Sequence, residues 1–161
     1  MRAFTFFTVV VLAAGCAGTS SLDGFPLPPR SRETGAVFFV EHQPNDTRSF
    51  DQLIAEAMNR AGLRAQHGTR PAGVDYTVRY IDRWYWDMRT YLVDLRIDVA
   101  DAGTNELIAT ARSYQTSLAA LGQTHRSVID TCVRVLTEGM DAELGRRAEL
   151  RASQPSRRKQ R

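Results

Sequence analysis

The spacing of apolar side chains along the chain predicts both strands and helices. Residues 36–41 form a continuous apolar run, which is typical of a strand buried on both faces. Over residues 50–61 the apolar positions recur at helical spacing, which predicts an amphipathic helix. Apolar and polar residues then alternate over 76–80 and again over 91–99, which predicts two strands with one buried face each. A last apolar stripe predicts a second helix, with buried positions Val128, Ile129, Cys132, Val133, Leu136 and Met140.

The ends of the first helix carry recognisable signals. Ser49 and Gln52 have the spacing of a capping box, in which the serine hydroxyl accepts from a backbone amide and the glutamine reaches back. Gly62 followed by Leu63 is typical of a Schellman ending, with glycine in a left-handed conformation. Both signals predict the same helix boundaries as the apolar spacing.

A hairpin loop at residues 101–105 joins the 91–99 strand to a further strand at 106–116. The alternation predicts the pairs Val99 with Leu107, Ile97 with Ala109, Leu95 with Ala111 and, on the other face, Asp94 with Arg112. The last pair would be a favourable cross-strand ion pair.

Together with a weak strand at residues 63–67, the element order is strand, helix, strand, three strands and helix. The expected fold class is α+β. We expect a two-layer sandwich with a mostly antiparallel sheet of four to five strands and two helices on one face.

The first residues resemble a bacterial export signal. Residues 1–14 contain one positive charge and an apolar run of about a dozen residues, shorter than the ~18 needed to span a bilayer. The stretch LAAGC that ends at Cys16 resembles the lipobox of lipoprotein signal peptides, with Ala13 where leucine is usual. The alternative is an ordinary signal peptide cut near residues 14–15, which would leave Cys16 as an incidental thiol.

The lipobox resemblance implies a domain organisation and a location. Residues 1–15 would be the signal peptide, and lipidated Cys16 would begin a flexible tether that extends through residue 34. A periplasmic domain would cover 35–145, followed by a basic, disordered tail at 146–161. Because Ala17 rather than aspartate follows the cysteine, the resemblance implies the outer membrane, in the inner leaflet, with the domain facing the periplasm.

Charge is distributed unevenly along the 161 residues, whose formal net charge is +3. Residues 151–161 carry five positive charges and no negative one, whereas residues 16–150 hold fifteen arginines and all eighteen acidic residues. The folded part is therefore net negative, which argues against a nucleic-acid partner. The tail is either a solvated end or a segment attracted to anionic lipid headgroups.

The segment DRWYWDM at 82–88 contains both tryptophans of the chain. It lies between two predicted strands, so it would form the far end of a hairpin. Three interpretations remain open. Trp84, Tyr85 and Trp86 could cap the sheet core, or they could anchor a binding partner, because aromatic residues are favoured at interfaces. Alternatively, Asp82 and Asp87 could be the acid/base pair of a glycan hydrolase.

The remaining candidates for chemistry are few. His42, His67 and His125 are far apart in sequence and lack metal-ligand spacing, so we expect no metal site and no cofactor. Cys132 lies on the apolar stripe of the last helix, which predicts a buried thiol. If Cys16 is acylated, the two cysteines of the chain cannot form a disulfide.

The lipobox, the tyrosine-rich stretch VDYTVRY at 74–80, the W-x-W-D of 84–87 and the loop DAGTNEL at 101–107 together resemble uncharacterised small lipoproteins of proteobacteria. More distantly, the element order is similar to modules of envelope-assembly lipoproteins, such as the lipopolysaccharide-assembly and curli-secretion lipoproteins. The resemblance implies a membrane-anchored, non-catalytic binding or assembly component of the cell envelope, with an envelope protein or glycolipid as partner. The alternative is a cell-wall or glycan hydrolase that uses Asp82 and Asp87.

Overall fold

The computed structural model describes residues 20–33, 35–87, 89–116, 120 and 122–153. The strands are β1 (Ser20–Phe25), β2 (Val37–Val40), β3 (Arg64–Gln66), β4 (Tyr76–Asp87), β5 (Arg89–Asp101) and β6 (Leu107–Gln115). The helices are α1 (Pro29–Glu33), α2 (Phe50–Arg60), α3 (His125–Glu138) and α4 (Met140–Ser153).

One mixed sheet holds the six strands in the order β1-β6-β5-β4-β2-β3. The pairs β1–β6, β6–β5 and β5–β4 are antiparallel, whereas β2 pairs in parallel with both β4 and β3. This confirms the α+β class, but the sheet has more strands than predicted and is mixed. The parallel part arises because α2 connects β2 to β3, and such a crossover returns the chain in the same direction.

In the described part of the chain, the hydrophobic core lies between the sheet and the helices α2 and α3, which contact each other. The apolar stripes predicted for the two helices are confirmed as their buried faces, except that Met140 lies in α4 and is only partly buried, because the helix that contains Leu136 ends before Gly139. The apolar run at residues 36–41 is confirmed as a central strand, because β2 has a neighbour on each side. The largest fully buried side chains include Tyr80, Phe38, Phe50, Leu27, Ile54, Met58, Leu95 and Ile97.

The start of α2 differs from the predicted capping box. Ser49 adopts a left-handed conformation and makes no capping hydrogen bond. The Asp46 carboxylate caps the helix instead, because it accepts from the backbone amides of Arg48 at 2.7 Å and Phe50 at 2.5 Å. The predicted Schellman ending is confirmed at Gly62, whose φ is +86°.

The predicted register of the β5–β6 hairpin is wrong by two residues. Asp94 lies opposite Tyr114 rather than Arg112, and a bulge next to Val99 shifts the register by one residue toward the hairpin loop, where Ala100 pairs with Leu107. A shift of two residues keeps each side chain on its predicted face. The predicted ion pair therefore still forms on the diagonal, with Arg112 donating to Asp94 at 2.7 and 2.9 Å. Leu107, which was expected to face the core, is 42 % exposed.

The tether predicted for residues 16–34 is wrong for the part that the structure describes. β1 pairs along its whole length with β6, and Leu22 and Leu27 are buried in the core. Gly24 permits this pairing, because a Cβ there would lie 2.2 Å from the carbonyl oxygen of Thr110. The pattern was missed because β1 is short and carries few apolar residues.

The disordered tail predicted for residues 146–161 is likewise wrong for residues 146–153, which belong to α4. Glu143 anchors this helix, since its buried carboxylate accepts from Arg134, Arg146 and Arg147. Residues 154–161, the predicted signal peptide and Cys16 lie outside the described residues. Among the helices that are described, none is both long enough and apolar enough to cross a membrane.

Candidate functional site

The two longest strands, β4 and β5, continue past the helical layer as a two-stranded extension. The last pairs are Tyr85 with Tyr91, Trp86 with Thr90 and Asp87 with Arg89. We call residues 82–87 and 89–94 the aromatic arm. The segment that was expected to lie between two strands, at the far end of their hairpin, is therefore mostly regular strand; Met88 lies outside the described residues.

Trp84 belongs to the base of the aromatic arm and joins it to the core. Its ring meets Phe50 edge-on at 5.9 Å and lies 6.3 Å from the ring of His125, measured between centroids. The guanidinium of Arg48 lies 4.0 Å above the indole. The indole Nε1–H donates to Asp82 at 2.6 Å. These contacts hold Trp84 against the core. They support the interpretation that its side chain caps the core of the sheet.

Trp86 and Tyr85 lie further along the arm and are exposed. Trp86 faces the same side of β4 as Trp84, but 72 % of it is accessible, because the two long helices begin at the level of Trp84. Tyr85, on the other side, is 56 % exposed and contacts Tyr91 across the strands at 5.9 Å between ring centroids. The motif therefore divides into a buried base and an exposed end.

A β-bulge sets which side chains face each way in the arm. Arg83 pairs with Asp94, but the next residue, Trp84, pairs with Leu92, so Val93 is the additional residue. This shift places Leu92, rather than Val93, in the core. The strict alternation predicted for 91–99 is wrong at this point, because a bulge reverses the faces of the residues that precede it.

A cleft of about 310 Å³ lies beside the base of the arm, between β5 and the start of α3. Trp84, Tyr91, Gln123 and His125 are among its lining residues. The hydroxyl of Tyr91 is buried and has no hydrogen-bond partner in the described part of the chain. Buried hydroxyls are usually paired, so this oxygen is an exception among the described residues.

The spacing of Asp82 and Asp87 does not match the hydrolase alternative. Both lie in β4, five residues apart, so their Cα atoms are separated by about 16 Å in an extended strand. Glycosidases hold their two carboxyl groups roughly 5–9.5 Å apart. In addition, Asp82 already accepts the hydrogen bond from Trp84.

The fold brings together two histidines that are 25 positions apart in the sequence. The Nδ1 atoms of His42 and His67 lie 3.4 and 3.8 Å from the same oxygen, Oδ2 of Asp51. The Asp51 side chain is 8 % exposed, whereas the two imidazoles are about half exposed. The third histidine, His125, packs against Trp84 instead. No spacing rule for metal ligands finds this arrangement, because the histidines follow two different strands.

Asp46 lies beside this group and is held by three donors. Tyr80 Oη donates to its carboxylate at 2.7 Å, in addition to the two backbone amides at the start of α2. Burial alone would raise the pKa of Asp46, but these hydrogen bonds outweigh burial and lower the pKa below its ordinary value. Burial and the bond to Asp46 raise the pKa of Tyr80.

The buried thiol predicted at Cys132 is confirmed. The side chain is fully buried and free, and burial raises its pKa to about 12. A thiol with so high a pKa is protonated at neutral pH and is a poor nucleophile. Cys132 is therefore part of the core of α3.

No family model matches the chain, and no curated protein is similar to it in sequence. In fold, the chain is similar to the PelC dodecamer from Paraburkholderia phytofirmans, with a TM-score of 0.50 and 11 % identity over 71 % of this chain and 92 % of that chain. A variant PelC dodecamer from the same organism gives a TM-score of 0.47 at 12 % identity, covering 72 % and 91 %. TolB from Acinetobacter baumannii gives 0.39 at 12 % identity, covering 78 % of this chain and 31 % of that one. At 11 % identity, the similarity to the first PelC structure shows a shared fold and nothing more specific.

Proposed function

We propose that this protein is a lipid-anchored component of the bacterial cell envelope that acts by binding another envelope protein. It performs no catalysis. Lipidated Cys16 holds the domain at the inner leaflet of the outer membrane, and the exposed end of the aromatic arm makes the contact. The anchor would raise the local concentration of the domain near its partner.

The exposure of Trp86 on a rigid support is the observation that carries this proposal. A tryptophan that is 72 % exposed gains much contact area when it is covered, and tryptophan and tyrosine are frequent hot spots. Trp86 stands on a paired strand whose base is fixed by Trp84. A fixed aromatic side chain loses little conformational entropy on binding, which favours affinity.

Two further features support a binding role. The cleft of about 310 Å³ at the base of the arm leaves room for a side chain of a partner beside Trp84 and His125. The PelC structure that shares the fold is a dodecamer, so this architecture occurs in at least one multi-subunit assembly. We therefore include a second copy of this chain among the partners to be tested.

Chemical crosslinking in native membranes tests the binding role. The wild-type chain is compared with a Tyr85→Ala/Trp86→Ala variant, and copurifying proteins are identified by mass spectrometry. We expect the variant to lose at least one protein, or its own crosslinked multimers. Phe25→Ala is the matched control, since Phe25 is 45 % exposed but lies on β1. Identical crosslinked products from wild type and the double variant would overturn the proposal. It would also be overturned if the wild-type chain copurified with glycolipid and with no protein.

The anchor is tested separately. Intact-mass analysis of the mature chain should find acyl chains on Cys16, and Cys16→Ser should release the domain from membranes. An unmodified sulfur in membrane-extracted protein would contradict the anchor.

We further propose that the basic residues of 151–161 add attraction to anionic headgroups. The Cys16→Ser protein should then keep a weak, salt-dependent association with anionic membranes, and deletion of residues 154–161 should reduce both this association and its dependence on salt.

A further inference from the structure

His42 and His67 follow neighbouring parallel strands. His42 lies two residues after β2, and His67 directly follows β3. Because β2 and β3 pair in parallel, their carboxyl ends meet at the same edge of the sheet. The connection from β2 enters α2 at that edge, and its first turn contributes Asp51. The carboxyl ends of parallel strands are a frequent place for ligands in α/β folds.

The distances at this edge fit a shared metal ion better than hydrogen bonds. Charge-assisted hydrogen bonds between nitrogen and carboxylate are about 2.7–2.9 Å long. The Nδ1 atoms of His42 and His67 lie 3.4 and 3.8 Å from Oδ2 of Asp51, beyond that range. Ligands bound tetrahedrally at about 2.0–2.1 Å from zinc are roughly 3.4 Å from one another. The Nδ1 of His42 and Oδ2 of Asp51 are therefore already at the spacing of two ligands of one ion, whereas the imidazole of His67 must move further, since it lies outside the group whose ligand atoms are within 4.8 Å of one another.

Asp46 offers another ligand. A ring nitrogen of His42 and one carboxylate oxygen each from Asp46 and Asp51 lie within 4.8 Å of one another. A carboxylate has about four acceptor positions, and Asp46 uses three of them for Tyr80 and two backbone amides. The same three bonds fix the carboxylate in place, as outer-shell partners of metal ligands commonly do.

The charge and exposure of the group also suit a divalent cation. Two carboxylates and two neutral imidazoles carry two negative charges, which one divalent ion neutralises. Asp51 is nearly buried, whereas the imidazoles are 52 % and 43 % exposed, so an ion can enter from solvent on the histidine side. Imidazole nitrogen with carboxylate oxygen is a donor set that zinc accepts.

We propose that His42, Asp51 and Asp46 bind a zinc ion, and that the exposed imidazole of His67 moves in as the fourth ligand when the ion binds. The ion would join the loop after β2, the end of β3 and the first turn of α2. It would therefore stabilise the edge of the sheet that lies next to the base of the aromatic arm. The proposal is independent of the binding role of Trp86, and either can fail alone.

Isothermal titration calorimetry of the full chain with Zn²⁺ tests the site. The protein is purified without a histidine tag and is stripped with a chelator beforehand. We expect one ion per chain, a rise in Tm with zinc, and the visible absorption of tetrahedral cobalt when Co²⁺ is used instead. The variants His42→Ala, His67→Ala and Asp51→Asn should each weaken zinc binding at least tenfold.

His125→Ala is the matched control, because it removes the one histidine outside the group and should leave zinc affinity unchanged. Circular dichroism in chelator establishes that each variant is folded. The absence of zinc binding by the wild-type chain would overturn the proposal without reference to any variant. Binding of undiminished affinity in a His42→Ala/His67→Ala double variant would also overturn it, since the ion would then lie elsewhere.

Discussion

Trp84 and Trp86 stand two residues apart on the same side of one strand, yet they belong to different environments. Trp84 packs against Phe50, His125 and Arg48, whereas 72 % of Trp86 is exposed. The difference arises because α2 and α3 both begin at the level of Trp84, while β4 continues beyond them. The comparison shows that the base of the aromatic arm serves stability and that its end is free for another task.

The largest effect is expected for Trp84→Ala. Removing this ring takes away the contacts that join the arm to α2 and α3, and aromatic-to-alanine changes in cores cost about 3–5 kcal/mol. Since Trp84 is only partly buried, we expect a loss of roughly 3 kcal/mol in the free energy of unfolding. Urea denaturation followed by circular dichroism measures it.

The matched control for that measurement is Trp86→Ala, which deletes the same side chain from the end of the arm. Surface substitutions usually change stability by less than about 0.5 kcal/mol. Equal losses for the two variants would mean that the whole arm is structural, and the division into base and end would be wrong.

A smaller effect is expected for Asp46→Asn, which acts on the base of the arm through Phe50. Losing the charge from this helix cap should cost about 1 kcal/mol at neutral pH. The folded-state pKa of Asp46 lies below its ordinary 3.8, so its contribution is present above about pH 4 and disappears as the pH falls through the folded-state value. Unfolding of both chains in chelator, at neutral and acidic pH, measures the difference.

For Asp46→Asn, the gap in stability between wild type and variant should shrink on acidification. A gap that stays constant from neutral to acidic pH would show that the asparagine disturbs packing rather than charge. It would also remove Asp46 as the group that fixes the start of α2.

Sequence patterns predicted those parts of the molecule in which apolar spacing is continuous. The helices α2 and α3, the central strand β2 and the Schellman ending at Gly62 were confirmed, because each depends on local signals. The errors fall where distant contacts decide. β1 is a strand only because β6 pairs with it, and the β5–β6 register depends on a bulge next to Val99. Neither event leaves a local mark in the sequence.

The candidate sites show the same limit. The sequence singled out Trp84, Tyr85 and Trp86, but it could not separate Trp84 from Trp86, since that requires knowing where the helices begin. The histidine group was missed because its members are adjacent only through the parallel pairing of β2 and β3. A usable signal was present nonetheless: a histidine comes shortly after each of two strands that flank one helix.

After Asp46→Asn, the next largest loss of stability is expected for Arg48→Ala. This change removes the guanidinium that lies 4.0 Å above the Trp84 ring. Cation–π contacts at exposed sites contribute about 0.5–1 kcal/mol, so a loss in that range is expected by urea denaturation. Arg83→Ala is the control, since Arg83 is an exposed arginine on the opposite side of the same strand. An equal loss for Arg83→Ala would show that net charge, rather than the contact with Trp84, is responsible.

The smallest change in stability is expected for Trp86→Phe, whose ring is exposed, and its comparison with Trp84→Phe is the sharpest test. The chain contains two tryptophans, so Trp86→Phe leaves only Trp84 to fluoresce and Trp84→Phe leaves only Trp86. Iodide should quench the emission of Trp86 strongly and that of Trp84 weakly, because a packed indole is shielded from the ion. When a partner covers the end of the arm, the emission of Trp86 should become shielded while that of Trp84 stays the same. Shielding of Trp86 in the isolated, monomeric chain would contradict an exposed end, and with it the surface on which the proposed binding role depends.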